Sequence, residues 1–134
     1  MAIDATLNDW MPRIRSVLRI ASGLFLLQHG TAKILGFPHA EQSANVQIAS
    51  LSGVAGLIEL IIGGLFVLGL FTRSAAFILS GFTAVAYFMA HAPKDFFPLL
   101  NGGELAALYS FVFLYFVFAG PGPWSIDAMR RSAS

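Results

Sequence analysis

The sequence predicts an all-α fold: an integral membrane bundle of four helices with both termini in the cytoplasm. The first observation is composition, since 57% of the 134 residues are hydrophobic and only 11% are charged, far from the balance of soluble domains. The second is size, because a soluble fold this small could not bury so much apolar surface. The third is that the few charges lie between long apolar runs, which argues against nucleic acid as a partner and favours the lipid bilayer.

Four apolar runs are long enough to form membrane helices, which need about 20 residues. They cover residues 16–35, 51–71, 74–92 and 104–119. Glycines, prolines or charged residues bound the runs, and no run alternates with the period of two that a membrane barrel strand shows. We expect residues 1–134 to form one multi-pass domain, in which the first run is retained as a helix because it lacks a signal-peptide cleavage site.

The links and the small residues predict how the helices pack. The second and third helices are joined by a very short link, so we expect an antiparallel hairpin. Ala76, Ser80 and Ala84 recur at four-residue spacing in the third helix, and glycines interrupt the second; such residues let membrane helices approach closely. We therefore expect the second and third helices to be the tightest pair, and residues 39–45 to form a loop or a short interfacial helix.

The positive-inside rule sets the orientation of the predicted bundle. One side collects most of the basic residues: Arg13, Arg15, Arg19, Arg73, Arg130 and Arg131. The other side has Lys33 and Lys94, so both termini are expected in the cytoplasm. The predicted anchors at the cytoplasmic interface are Trp10, Arg19, Arg73 and Trp124. Ser125 is placed to cap a short C-terminal helix.

Polar residues gather in the half of the bundle that faces outward. An ionisable residue within a membrane costs roughly 2.5–3.5 kcal/mol on insertion scales, so each one needs a reason. If the first helix runs outward and the second inward, His29 and Glu59 lie at nearly the same depth, and we expect the imidazole to be the partner of this buried carboxylate. The candidate site in this half consists of Gln28, His29, Lys33, Glu59 and Glu104.

These polar residues also have structural interpretations. Lys33 and His91 lie near the outer surface, where they can extend to the lipid headgroups. Glu104 suits the third position of a helix that Asn101 caps. Glu59 can hold two membrane helices together through polar contacts, or it can act with an imidazole to transfer protons to a quinone or to hold a metal ion.

The composition also limits the cofactors. The chain contains no cysteine, so it can form no disulfide, thiolate metal site or iron–sulfur cluster of its own. A haem held by His29 and His91 has no specific support from their spacing. We expect no covalently attached or thiolate-bound cofactor and assign no metal ligand. Any electron transfer would depend on a borrowed cofactor, for which a quinone is the candidate.

Six short motifs lie along nearly the whole chain. They are QHGTAK at 28–33, GFP at 36–38, GLIE at 56–59, GG at 63–64, GLFTR at 69–73 and GPGPWSID at 120–127. Together they resemble the DoxX family. The resemblance implies a four-helix protein of the bacterial inner membrane, loosely tied to redox chemistry: the namesake relatives are associated with a thiosulfate:quinone oxidoreductase, and others with oxidative-stress complexes. By motif match, the characteristic polar set of the family falls on His29, Lys33, Glu59 and Arg73.

Three functions remain open at this point. The first is an accessory or anchoring subunit of a larger redox-linked membrane complex, without catalytic activity of its own and with other membrane subunits or further copies of the chain as partners. The second is a quinone-binding oxidoreductase subunit in which Glu59 and His29 transfer protons and Lys33 orients a quinone oxygen. The third is a small transporter or metal-handling protein with Glu59 and His29 as ligands.

Overall fold

The structure is a computed structural model that describes residues 1–43 and 46–133, and all its regular elements in that part of the chain are helical. The helices are α1 (Ala2–Leu35), α2 (Leu51–Leu68), α3 (Thr72–Ala90), α4 (Pro98–Asn101), α5 (Glu104–Ala119) and α6 (Ile126–Ala133). This confirms the all-α prediction. The segment predicted at residues 39–45 contains a 3-10 turn at Glu41–Ser43, while residues 44 and 45 lie outside the described part.

Helix α1 begins at Ala2, well before the apolar run that starts at residue 16, and it contains Pro12. The reason for the difference is that hydropathy marks the apolar part of a helix and not the mixed polar turns before it, which here number about four. The helix ends at Leu35, and the Gly36 that follows has a left-handed φ of 72° and donates its N–H to the carbonyl of Thr31. Glycine suits this position because it has no Cβ to clash.

A three-residue link joins α2 to α3. Gly69 has a left-handed φ of 70°, and its N–H donates to the last carbonyls of α2, so this helix ends three residues before the predicted residue 71. Helix α3 then begins at Thr72 and ends at Ala90, each two residues earlier than predicted. Ser125 caps α6 as expected, since its hydroxyl accepts from the N–H of Ala128 at 3.0 Å.

The tightest helix pairs are α1 with α2 and α3 with α5, so the prediction that α2 and α3 pack most closely is wrong. The small residues of α3 face α5 instead: the Ser80 and Ser110 hydroxyls each donate to the other residue's carbonyl, at 2.8 and 3.1 Å. Arg73 of α3 meets Val117 near the end of α5. The pair is therefore antiparallel.

An aromatic core joins the two helix pairs. Phe66 of α2 is fully buried and meets Phe113 and Phe116 of α5 edge-to-face, with ring centroids 5.1 and 5.2 Å apart. Ring edges on ring faces are favourable contacts between aromatic quadrupoles. Leu26 of α1 and Leu79 of α3 complete this core, so all four long helices contribute to it.

Within the part of the chain that the structure describes, two helices are long and apolar enough to cross a membrane, α2 with a mean hydropathy of 2.2 and α3 with 1.3. Only 28% of the residues in the 18-residue apolar stretch of α2, and 22% of those in the stretch of α3, are buried within the molecule. Their apolar side chains therefore face mostly outward, as expected for a protein surrounded by lipid rather than for the core helix of a soluble domain. Helix α5 is a shorter apolar helix of 16 residues, and α1 carries Arg19 and Lys33 within its apolar run.

Candidate functional site

The candidate site begins with a close approach of α1 to α2. A Cβ on Gly30 would lie 2.6 Å from the Leu60 nitrogen and 2.9 Å from the Gly56 carbonyl oxygen, so only glycine lets the two backbones meet there. A Cβ on Gly56 would in turn lie 2.9 Å from the Cβ of Lys33. These two glycines therefore leave room for the Lys33 side chain along α2.

Lys33 uses this room to reach Glu59. Its Nζ donates to Glu59 Oε1 at 2.7 Å, and the two side chains are 23% and 7% exposed. The expected partner of Glu59 was His29, and the structure corrects that expectation. Because Gly30 faces α2, the adjacent His29 points about 100° away around α1, whereas the long lysine chain can extend to the carboxylate.

The ion pair forms part of the wall of a cavity of about 610 Å³. This volume is within the range of ligand sites, roughly 300–1,000 Å³. All four long helices line it, mostly with apolar side chains such as Ile58 and Phe82. Its polar side chains include His29, Lys33, Glu59, His91 and Tyr109. A largely apolar space with a few converging polar groups is the usual form of a site for a small hydrophobic molecule.

The structure brings together three of the five residues that the sequence placed in the site. His29, Lys33 and Glu59 line the cavity, and His29 is also exposed at the surface. Gln28 and Glu104 are exposed and do not line the cavity. Glu104 is the first residue of α5 and not the third, because Gly103 is the N-cap. The expected Asn101 cap is thus replaced by a local bond, in which the Asn101 carboxamide oxygen accepts from the N–H of Gly103 at 2.8 Å.

Two titratable residues that line the cavity were not part of the predicted site. His91 follows α3, and its Nδ1 lies 3.2 Å from the carbonyl oxygen of Asn101. Tyr109 of α5 is 6% exposed, and its ring stacks on Phe113 with centroids 5.5 Å apart. A search of the sequence for charged residues does not find a tyrosine. The hydroxyl of Tyr109, in a run of phenylalanines and leucines, could nevertheless have indicated a polar group inside the membrane.

The opposite end of the molecule is here called the arginine end. It holds Arg15, Arg19, Arg73, Arg130, Asp127 and residues 120–125. Arg19 was predicted as a surface anchor, but it is 1% exposed. Its guanidinium donates to the carbonyl of Pro121, to that of Trp124 at 2.6 Å and to that of Val67 at 3.4 Å. Arg19 lies inside because the chain after α5 turns back over it and supplies the Pro121 and Trp124 carbonyls, while α2 supplies that of Val67.

The other predicted anchors lie at the surface of this end. Trp10 and Trp124 are 48% and 50% exposed, and the Arg13 guanidinium lies 5.0 Å from the Trp10 ring centre. Arg73 is also exposed, yet its Nη1 donates to the carbonyls of Val117 and Phe118 at 2.9 and 2.6 Å. It therefore satisfies carbonyls that the end of α5 leaves without a helical partner.

Asp127 ties α6 to the start of α3. Its carboxylate accepts from the N–H groups of Phe71 and Thr72, both at 2.9 Å, and from the Thr72 hydroxyl at 2.8 Å. Burial acts to raise the pKa of Asp127, but the Thr72 and Phe71 hydrogen bonds and the charge of Arg130 outweigh it and lower the pKa below its ordinary value. The carboxylate also neutralises the positive end of α3.

Metal coordination gains no support from this geometry. Within residues 1–43 and 46–133, no three histidine or carboxylate side chains lie close enough to hold a metal ion together. The histidines that line the cavity belong to different helical regions, His29 in α1 and His91 after α3.

Comparison with known proteins identifies the family. The model of the family described as DoxX matches residues 14–92, which is more than half of the chain. A protein from Haemophilus influenzae, described as an uncharacterized protein, is 46% identical over 125 residues, which cover 90% of this chain and 93% of that protein. No solved structure matches the chain. The chain therefore belongs to the DoxX family and is a DoxX-like membrane protein.

Proposed function

We propose that this protein is a subunit of a redox-linked complex in the bacterial inner membrane, and that it binds a lipid-soluble molecule, a quinone, in the cavity between its helices. The observation that carries the proposal is the cavity itself: about 610 Å³ of mainly apolar space with the Lys33–Glu59 ion pair in its wall. A purely structural ion pair between two helices does not require an empty volume beside it.

The walls of the cavity support a ligand that arrives from the bilayer. Several apolar residues that line it are also exposed on the outside of the bundle, including Leu51, Val54, Val85 and Met89. An apolar molecule can therefore pass from lipid into the cavity without crossing a polar surface. Its polar head would then meet Lys33 and Glu59, which lie among the same lining residues.

The side chains fit a quinone head by their chemistry. The Lys33 ammonium has three N–H donors, and Glu59 occupies one of them, so donors remain for an acceptor oxygen. Glu59 and His29 can each hold and release a proton beside the ligand. A bound quinone would supply the redox chemistry, and these residues would hold the protons that accompany the electrons.

The topology is part of the proposal. We place α1, α2, α3 and α5 across the membrane with both termini in the cytoplasm, because Arg15, Arg19, Arg73 and Arg130 share one end of the bundle. A reporter that is active only outside the cytoplasm should then be silent when it is fused after the last residue. Activity of that fusion would reverse the orientation and place the cavity toward the cytoplasm.

Quantification of bound quinone tests the main proposal. The protein is purified in mild detergent, its lipids are extracted, and quinone is measured by mass spectrometry. Wild type should carry quinone, whereas Lys33→Met/Glu59→Leu should carry much less, since it replaces the ion pair with apolar side chains of similar size and keeps the fold. Glu104→Gln, outside the cavity, should match wild type.

The outcomes separate the three functions. Equal quinone in wild type and in the double variant would contradict the cavity as the site. A protein that carries no quinone and is recovered only with partner subunits would be the accessory anchor without a ligand. Stoichiometric metal in the purified protein, lost in the double variant, would favour metal handling instead.

A further inference from the structure

Tyr109 has a buried hydroxyl group without a partner. The residue is 6% exposed, and its oxygen makes no hydrogen bond with any part of the chain that the structure describes. Buried tyrosine hydroxyls usually find a partner, because an unsatisfied buried polar group destabilises the folded state. The group therefore needs an explanation.

The position of the Tyr109 ring is fixed by packing. It stacks nearly parallel on Phe113, which is fully buried, at an interplanar angle of 11°. The hydroxyl consequently cannot leave the interior without disrupting the aromatic core. The residue lines the same cavity as the Lys33–Glu59 pair, so a molecule in that cavity can supply the missing partner.

Two other buried side-chain atoms lack a partner in the described part of the chain, both of them nitrogens, and they do not raise the same question. They are Nε of Arg15 and Nε of Arg19, both at the arginine end. Each of these guanidiniums is held by at least one other hydrogen bond, from Arg15 to the carbonyl of Ala119 at 3.1 Å and from Arg19 to that of Trp124 at 2.6 Å. The hydroxyl is the sole polar group of the Tyr109 side chain, and it has no such bond.

We propose that the Tyr109 hydroxyl donates a hydrogen bond to a carbonyl oxygen of the molecule in the cavity. The inference rests on the proposed function and adds a ligand class to it. Lys33 is a donor without acceptor capacity, and Tyr109 is a second donor, so the cavity presents donors from two helices, α1 and α5. Such a pair recognises an apolar molecule whose head carries carbonyl acceptors. Both a quinone and the ester groups of a phospholipid have this chemistry.

Binding measurements on Tyr109→Phe test the assignment. The substitution removes one oxygen and leaves the ring packing intact. We expect the dissociation constant for a decyl-substituted benzoquinone, measured by calorimetry in detergent, to rise about 3- to 10-fold, as for the loss of one neutral hydrogen bond. Decylbenzene, which has no carbonyl, should bind wild type and variant equally. Tyr115→Phe is the matched control, because Tyr115 lies on the same helix, is 44% exposed and does not line the cavity.

The same titration with a short-chain phosphatidylglycerol distinguishes the two sources of carbonyl. Tyr109-dependent binding of the phospholipid but not of the quinone would keep the Tyr109 assignment and overturn the quinone proposal. Equal quinone affinity of wild type and Tyr109→Phe would overturn the Tyr109 assignment and leave the quinone proposal standing. Absence of binding by wild type to either probe would overturn both.

Discussion

The arginine end and the cavity end of the molecule both bury charge, but they pair it with different groups. At the arginine end, Arg19 is enclosed by backbone carbonyls of the segment after α5. At the cavity end, Lys33 pairs with the side chain of Glu59, and about 610 Å³ of space lies beside the pair. The arginine end also has clefts, of about 490 and 580 Å³, but several charged side chains line each of them, whereas apolar side chains line most of the space at the cavity end.

This difference separates a structural role from a binding role. Backbone carbonyls are present whatever the sequence, and they must be satisfied where water is absent. An arginine that satisfies them stabilises one conformation and has little left to offer a ligand. A carboxylate and an ammonium in a cavity wall keep unused acceptors and donors. We therefore expect variants at the arginine end to impair folding first, and variants at the cavity end to impair binding first.

The largest effect on stability should come from Arg19→Met. The change leaves the carbonyls of Val67 and Trp124 without the Arg19 donor, at about 1–3 kcal/mol each, while the Pro121 carbonyl keeps the Ser16 hydroxyl as a donor. We therefore expect a loss of about 2–6 kcal/mol in the free energy of unfolding. Denaturant unfolding in detergent measures it. Arg13→Met is the control, since Arg13 is exposed and contacts Trp10 on the same helix. If both variants lose the same stability, the arginine end is not closed by Arg19.

The next effect tests the asymmetry within the ion pair. Lys33→Met should cost about 3 kcal/mol, because it leaves a carboxylate that is 7% exposed without its partner. Glu59→Leu should cost less, because Lys33 is already 23% exposed and can extend to the surface. The double variant should recover most of the loss. Equal costs for both single variants would contradict the described difference in burial.

The sequence predicts the cavity end in part. The apolar runs and the positions of His29, Lys33 and Glu59 place three polar residues near one end, because their depth follows from the length of helix before them. The depth of a residue in the membrane does not tell in which direction its side chain points around the helix axis. Gly30 faces α2, and this rotation of α1 about its axis brings Lys33, and not His29, to Glu59.

The arginine end was less predictable for a different reason. Arg19 is buried by carbonyls about 50 and 100 residues away along the chain, and no local pattern contains such contacts. The rule that arginines mark an interface describes exposed side chains, so it fails for one that the chain covers. The helical extension before residue 16 was missed because its exposed turns mix apolar side chains with charged and polar ones and so form no continuous apolar run.

A moderate effect is expected where α1 meets α2. Gly30→Ala places a Cβ 2.6 Å from a backbone nitrogen of α2, so the helices must separate, and we expect a loss of about 1–3 kcal/mol. Separation should also weaken quinone binding, since the Lys33 side chain would move away from Glu59. Gly64→Ala is the control: nothing lies within 4 Å of its Cβ, and it should be neutral or slightly stabilising. A neutral Gly30→Ala would show that the close approach is not required.

The smallest effect is expected from the Asp127 carboxylate, which is partly exposed at the arginine end. Because the folded state lowers the pKa of Asp127, this carboxylate stabilises the fold above its unfolded pKa, about 3.9. The contribution is lost as pH falls below that value and through the lower folded pKa. The melting temperature of wild type should therefore fall more steeply below about pH 4 than that of Asp127→Asn.

The control for this titration is Asp9→Asn, since Asp9 is exposed on α1 and outside the segment that Asp127 ties to α3. Its melting temperature should follow the wild-type curve. Quinone content should stay unchanged in Asp127→Asn at neutral pH, because the cavity is at the opposite end. If Asp127→Asn kept the wild-type pH dependence but lost quinone, the two ends would be coupled, and the separation of structural from binding roles would fail.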